Sequence, residues 1–132
     1  MTEDIIAIKE NAGATKQEAV ISIKGLFKSF GLSNDVLKGV ELHVNKSENL
    51  VLLGKSGSGK SIIIKCLVRL INADKGEIKI FGTDISTLNN KELNTVRLRI
   101  GFLFQNAALY DSMSVRQNMA FPLKRHFKNL SD

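Results

Sequence analysis

The amino-acid sequence predicts an α/β protein with a mostly parallel core sheet and an antiparallel β portion ahead of it. Three observations carry this. Leu50-Val51-Leu52-Leu53 is a short continuous apolar run, the pattern of a strand covered on both faces. A glycine-rich loop and an apolar helix follow it directly. A second such run, Ile100-Gly101-Phe102-Leu103-Phe104, comes later in the chain. Both runs belong in the middle of a parallel sheet, whose ligands bind just beyond the carboxyl ends of the strands.

The remaining elements follow in order. Residues 1–18 are polar, with Asn11, Gly13 and Thr15 and no sustained period. They read as a flexible tail. From Ala19 the pattern changes. Val20, Ile21, Ile23 and Leu26 mark a strand that ends near Phe30-Gly31. Val40-Glu41-Leu42-His43-Val44 alternates and reads as a second strand. Asn45 to Glu48 turns the chain into the apolar run at Leu50. In the helix after the loop, Ser61, Lys65, Arg69 and Asn72 form one narrow polar stripe. Asn72 to Gly76 stops that helix. Glu77-Ile78-Lys79-Ile80-Phe81 alternates as a strand ended by Gly82-Thr83-Asp84. Asn89 or Asn90 can cap a helix whose Leu93, Val96 and Ile100 share a face. Ser114-Val115-Arg116-Gln117 is a capping-box pattern opening a last helix. Pro122 should kink or stop it.

The most informative stretch is Gly54-Lys55-Ser56-Gly57-Ser58-Gly59-Lys60-Ser61, which fits G-x-x-x-x-G-K-[ST] at every fixed position. Gly54, Gly57 and Gly59 let the backbone adopt unusual dihedrals and approach a phosphate closely. Successive N–H groups then form an anion-binding concavity, backed by the partial positive charge of a helix N-terminus. Lys60 can reach the β- and γ-phosphates of a nucleotide, and Ser61 offers a hydroxyl to Mg²⁺. Strand, glycine loop and helix are the context this pattern requires. The fold class is therefore that of a P-loop NTPase. Gln105 ends the second apolar run, where a neutral amide could orient a water or touch the metal. It could equally be a polar residue that simply ends a strand.

Composition narrows the rest. Hydrophobic residues make up 43% of the chain, enough for a real core. No apolar run approaches a membrane span, and residues 1–17 carry no block like a secretory signal, which points to the cytoplasm. Cys66 is alone, without a disulfide framework or a cysteine metal cluster, and reads as a small core residue. The net charge is +6, which permits an acidic partner. The lysines are spread along the chain without interleaved aromatics, which argues against nucleic acid. The one dense group, Lys124, Arg125, His126 and Lys128, reads as a solvated helix face or a contact with a partner or lipid headgroups.

These landmarks together resemble the N-terminal part of an ABC-transporter ATP-binding subunit. Leu26-Phe27-Lys28-Ser29-Phe30-Gly31 resembles the family's aromatic loop, in which Phe30 would stack on adenine. Val36-Leu37-Lys38-Gly39-Val40 resembles the lead into the second strand. Gly54 to Ser61 is similar to the Walker A loop, so the resemblance assigns Gly54, Lys55, Ser56, Gly57, Ser58, Gly59, Lys60, Ser61 and Ile62 to ATP. Phe102-Leu103-Phe104-Gln105 resembles the approach to the Q-loop, whose Gln helps ligate Mg²⁺ and place the attacking water. The stretch from Leu103 to Val115, continued through Asn118-Met119-Ala120-Phe121-Pro122-Leu123, is similar to the ATPases of Mla-type phospholipid transporters. That resemblance implies an integral membrane permease, a lipid-binding MCE protein and a second ATP-binding subunit as partners. It also implies a peripheral position on the inner face of the cell membrane.

Two departures qualify the match. Ile62 stands where many relatives have a Thr whose hydroxyl contacts the α-phosphate. The signature loop, the Walker B strand with its acidic residues, and the switch His are absent, and His126 lacks the right context. The sequence therefore reads as a flexible tail over residues 1–18 and a truncated ATP-binding domain over residues 19–132. These 132 residues alone are expected to bind ATP without turning it over, because ATP hydrolysis also needs a metal-holding carboxylate and charge stabilisation at the transferred phosphoryl group. Competing readings are a soluble ABC-type ATPase acting on nucleic acid or ribosomes, a small P-loop kinase, and a non-catalytic nucleotide-binding fragment. The kinase fits less well, because two strands precede the loop.

Overall fold

The structure is a computed structural model that describes residues 5–10, 19–31, 35–104 and 109–126. It divides into two compact units, Met1–Arg99 and Ile100–Asp132.

The first unit holds a four-stranded antiparallel sheet in the order β3-β2-β5-β6. Its strands are β2 (Ala19–Ser29), β3 (Asp35–Asn45), β5 (Lys75–Ile80) and β6 (Thr83–Asp84). Ile23 and Leu26 of β2 are both buried. A regular strand cannot turn residues three apart to one face, because its side-chain period is two. A bulge resolves this: the β2 register shifts between Ile23 and Leu26, where Gly25 takes φ +55°. Gly76 of β5, at φ +106°, lies against that bulge. A Cβ at Gly76 would lie 2.4 Å from the Gly25 carbonyl oxygen. Leu37, Val40, Ile78 and Ile80 complete the buried side of the sheet. β5 and β6 are joined by Phe81-Gly82, both at positive φ, +50° and +78°. Two such residues make the hairpin turn that matches strand twist. The Arg99 guanidinium sits 3.8 Å from the Phe81 ring centroid.

A separate two-stranded sheet pairs β1 (Ile5–Glu10) with β4 (Asn49–Gly54), antiparallel, from Ile5 opposite Gly54 to Glu10 opposite Asn49. The stretch expected to be a flexible tail thus contains a strand. β4 is the apolar run that precedes the glycine loop. It is not covered on both faces: Val51 is 51% and Leu53 45% exposed. The reason is its neighbourhood, since among the described residues its only ladder partner is β1. Every ladder among the described residues is antiparallel, so the expected parallel pairing is not found there. The fold remains mixed α/β.

Helix α1 (Lys60–Leu67) is shorter than the polar stripe predicts. The chain leaves the helix at Val68, and Arg69 turns to φ +51°. Two arginines explain the stop. Helix ends leave carbonyls without intrahelical partners. Arg97 of α2 (Asn90–Arg97) donates from Nε to the Val68 carbonyl at 2.9 Å and from Nη2 to the Arg69 carbonyl at 3.0 Å. Arg69 itself donates to the carbonyls of Ile85 and Leu88 at 2.8 and 2.7 Å. Asn89 caps α2, accepting from the N–H groups of Lys91 and Glu92, while Glu92 accepts from the Asn89 N–H. Leu93 is buried beneath this helix.

The second unit contains α3 (Val115–His126). The predicted capping box forms: Ser114 N–H donates to Gln117 Oε1 at 2.8 Å, and Gln117 N–H donates to Ser114 Oγ at 3.2 Å. Asn118 adds a tie that the sequence did not announce. Its amide donates to the carbonyls of Tyr110, Met113 and Ser114. The helix continues through Pro122 rather than stopping there. Residues Ile100 to Phe104 form no strand. An apolar run needs ladder partners to be held extended, and this one has none among the described residues.

Candidate functional site

The candidate site is the loop between β4 and α1. β4 delivers Gly54, and the chain then turns, with Ser58 N–H donating to the Lys55 carbonyl at 3.3 Å. Gly57 and Gly59 take φ +82° and +99°, conformations that L side chains rarely adopt. Gly59 is also pressed against β3. A Cβ there would lie 2.8 Å from Leu37 Cδ2 and 3.0 Å from Val36 Cγ1. The three glycines in the motif are therefore not equivalent. Gly57 is required by its dihedral in open space, and Gly59 by both dihedral and packing.

Lys60 folds back over the loop that precedes it. Its Nζ donates to the carbonyls of Gly54 and Lys55, both at 2.7 Å, and reaches Ser58 Oγ at 3.4 Å. A strand end, a turn and a helix start are thus tied by one ammonium. The arrangement leaves a positive charge across a loop whose residues Lys55, Ser56 and Gly57 are exposed. Nothing lies within 4 Å of a Cβ built at Gly57, and the motif contains no carboxylate to repel an anion. Ser61 is exposed on the first turn of α1, and Ile62 donates its N–H to the Gly59 carbonyl at 2.9 Å. These residues fit a nucleotide phosphate chain, and the Ser61 hydroxyl is a suitable oxygen donor for Mg²⁺. Among the described residues no group of three or more His, Cys, Asp or Glu could hold a metal ion.

Phe30 lies one residue beyond β2 and is 45% exposed. The Lys28 ammonium stands 5.4 Å from its ring centroid. The last β2–β3 pair is Ser29 with Asp35, and the next residues of β3, Val36 and Leu37, are those that pack on Gly59. Phe30 and the loop therefore belong to the same end of the sheet. Replacing Phe30 with Ala should weaken ATP and GTP binding to a similar, modest extent. Base stacking on a ring contributes roughly 1–3 kcal/mol and tolerates any base. Equal affinities for the parent and the variant in a nucleotide titration would reduce Phe30 to a packing residue. Gln105, the other residue singled out for catalysis and metal binding, lies outside the described residues, as do Asn106, Ala107 and Ala108.

The end of β2 is fixed by Asp74. Its carboxylate accepts from Lys28 Nζ at 2.6 Å and from the Ser29 N–H and hydroxyl at 2.7 and 3.0 Å. The Lys28 hydrogen bond first, and those of Ser29 after it, hold the Asp74 carboxyl down at about 2, from an ordinary 3.8. A depressed carboxyl pKa stabilises the fold above the unfolded value, and the stabilisation is lost as pH falls through the folded one. We expect the difference in thermal midpoint between the parent and Asp74→Asn to shrink between pH 4 and pH 2. A difference that stays constant over that range would remove the assigned role. Burial pushes the Cys66 thiol up, which suits a core residue and not a nucleophile.

Known proteins resemble this chain in sequence and in fold. The sequence profile of the ABC transporter family matches residues 37–132. A probable ribonucleotide transport ATP-binding protein of Mycobacterium leprae is 44% identical over 116 residues, 88% of this chain and 33% of that protein. A methionine import ATP-binding protein of Rhizobium johnstonii is 41% identical over 118 residues, 89% of this chain and 32% of that one. The dimeric structure of MJ0796, a bacterial ABC transporter cassette, aligns with a TM-score of 0.67 at 25% identity, covering 85% of this chain and 50% of the cassette. The chain thus spans about a third of the length of these two relatives. No described helix is long and apolar enough to cross a membrane. With this loop geometry and a family match over most of its length, the chain belongs to the ABC transporter family, as part of an ATP-binding domain.

Proposed function

We propose that this chain is the nucleotide-binding part of the motor subunit of a phospholipid-moving ABC transporter. The observation that carries the nucleotide reading is Lys60, whose ammonium spans the glycine loop on the carbonyls of Gly54 and Lys55. Gly54 to Ile62 hold the phosphates of ATP, Phe30 stacks on its base, and Ser61 with Gln105 holds Mg²⁺. Bound Mg²⁺ would neutralise charge developing on the phosphates.

The phospholipid reading rests on the similarity of Leu103–Val115 and Asn118–Leu123 to Mla-type ATPases. By the same similarity the subunit pairs with a second ATP-binding subunit. It sits on the inner face of the cell membrane with an integral permease and a lipid-binding MCE protein. Residues 106–123 face the permease. Leu109, Tyr110, Val115 and Met119 are exposed apolar side chains in this stretch, available as anchors. A cysteine placed at Tyr110 should crosslink to the co-expressed permease. Crosslinks obtained only from the β2–β3 region, residues 19–44, would contradict this orientation.

A further inference from the structure

The outer face of the four-stranded sheet carries a feature that nucleotide binding does not use. β2 places Phe27 opposite Lys38 of β3 on one side and opposite Lys75 of β5 on the other. Directly opposed residues in antiparallel ladders share a face, so the three form one row across the sheet. Leu26 is fully buried, and Phe27 turns the other way, with 42% of its surface exposed. Part of the ring covers Gly39, where a Cβ would come within 3.2 Å of it. That contact explains why some of the ring is covered and leaves the rest facing water. Lys24, Lys38 and Lys75 are exposed and form no ion pair among the described residues.

We propose that this row is a docking surface for an acidic protein segment with an apolar residue between two carboxylates. Neighbouring strands lie about 4.8 Å apart, which puts the Lys38 and Lys75 backbones roughly 10 Å apart. In an extended segment, residues four apart share a face at roughly 13 Å, within the sweep of two flexible lysine stems, and the residue midway meets Phe27. The rest of the face selects among anionic partners. Glu41 is exposed on it. Glu77, paired with Lys79 at 2.9 Å, stands opposite Lys24. These carboxylates would repel a continuous phosphate backbone or an anionic bilayer. A short acidic segment meets only the row.

The test is fluorescence anisotropy of a fluorescein-labelled peptide, Asp-Ser-Phe-Ser-Asp, titrated with the full chain at low ionic strength. Saturable binding is expected. The double variant Lys38→Glu/Lys75→Glu should weaken it about tenfold or more, since each reversal turns an attraction into a repulsion. Phe27→Ser should weaken it as well. Because that change also uncovers Gly39, the lysine pair provides the reading that leaves the ring in place. Lys46→Glu, in the turn after β3, should leave binding unchanged, and circular dichroism should show each variant folded. Three results would each overturn the proposal. They are no saturation up to about 1 mM, equal weakening by Lys46→Glu, or tighter capture of a single-stranded oligonucleotide or of phosphatidylglycerol vesicles than of the peptide.

Discussion

Replacing Lys60 with alanine should weaken binding of a fluorescent ATP analogue tenfold or more, the largest loss from any single substitution in the loop. Two losses combine. The first is the charge-assisted bond to phosphate oxygens, about 1.5–3 kcal/mol for a bond to a charged group, with 1.4 kcal/mol per tenfold in affinity. The second is internal. The Lys60 ammonium is the donor that holds the Gly54 and Lys55 carbonyls at 2.7 Å, so its removal also frees the loop that must be ordered to bind. Backbone N–H groups of the loop would remain, so weak residual binding is expected. Unchanged affinity would refute the assignment of this loop to phosphate. In a phosphate-release assay, the 132 residues are expected to give no turnover with or without Lys60. Turnover that depends on Lys60 would show that they hold a complete catalytic site.

Gly76→Ala should be the most destabilising conservative change in the first unit. Its Cβ would lie 2.4 Å from the Gly25 oxygen and 2.8 Å from both Gly25 C and Leu26 Cα. All three are backbone atoms, so no side chain can rotate aside. The backbone at φ +106° adds strain of its own, of order 1–3 kcal/mol, and overpacking commonly costs another 1–3 kcal/mol. A total near 3 kcal/mol or more is a large share of the 5–15 kcal/mol that holds a domain together. The expected fall in thermal midpoint is roughly 10 °C or more. Gly82→Ala separates the two causes, since Gly82 also has positive φ, +78°, but no atom within 4 Å of its would-be Cβ. It should cost about 1 kcal/mol. Equal effects at both positions would mean that the close approach of β5 to the bulge is not what fixes Gly76.

The glycine loop and the helix caps were legible because each is a local device. A fixed pattern of Gly, Lys and Ser sets the dihedrals of Gly57 and Gly59, and Asn89 with Glu92 or Ser114 with Gln117 completes a cap within one turn. Three other features were not legible, for a common reason. The burial of β4 depends on which strand lies beside it, and Leu50 to Leu53 read the same whether that partner is parallel or is β1. The end of α1 is set by Arg97, which donates to Val68 and Arg69 from another helix. The bulge at Gly25 becomes visible only once Ile23 and Leu26 are both seen to be buried. For Gly59 the motif carries only half of the constraint. The motif demanded a glycine for the phosphate, while Val36 and Leu37 demand the same glycine for packing.

The pairing of β1 with β4 bears on the order in which the chain assembles. The β2–β3 ladder closes over a short connection. The β1–β4 ladder must instead bring together the two ends of a loop that contains both of those strands. Closing a longer loop costs more chain entropy, so this ladder should form after the β2–β3 ladder and open before it. The strand that presents Gly54 then belongs to a less protected layer of hydrogen bonds than the β2–β3 ladder, and amide exchange in β4 should outpace exchange in β2. A ligand that binds only the closed loop would draw its stabilisation from that late step. The N-terminal residues would then act as a clasp whose closure nucleotide reinforces.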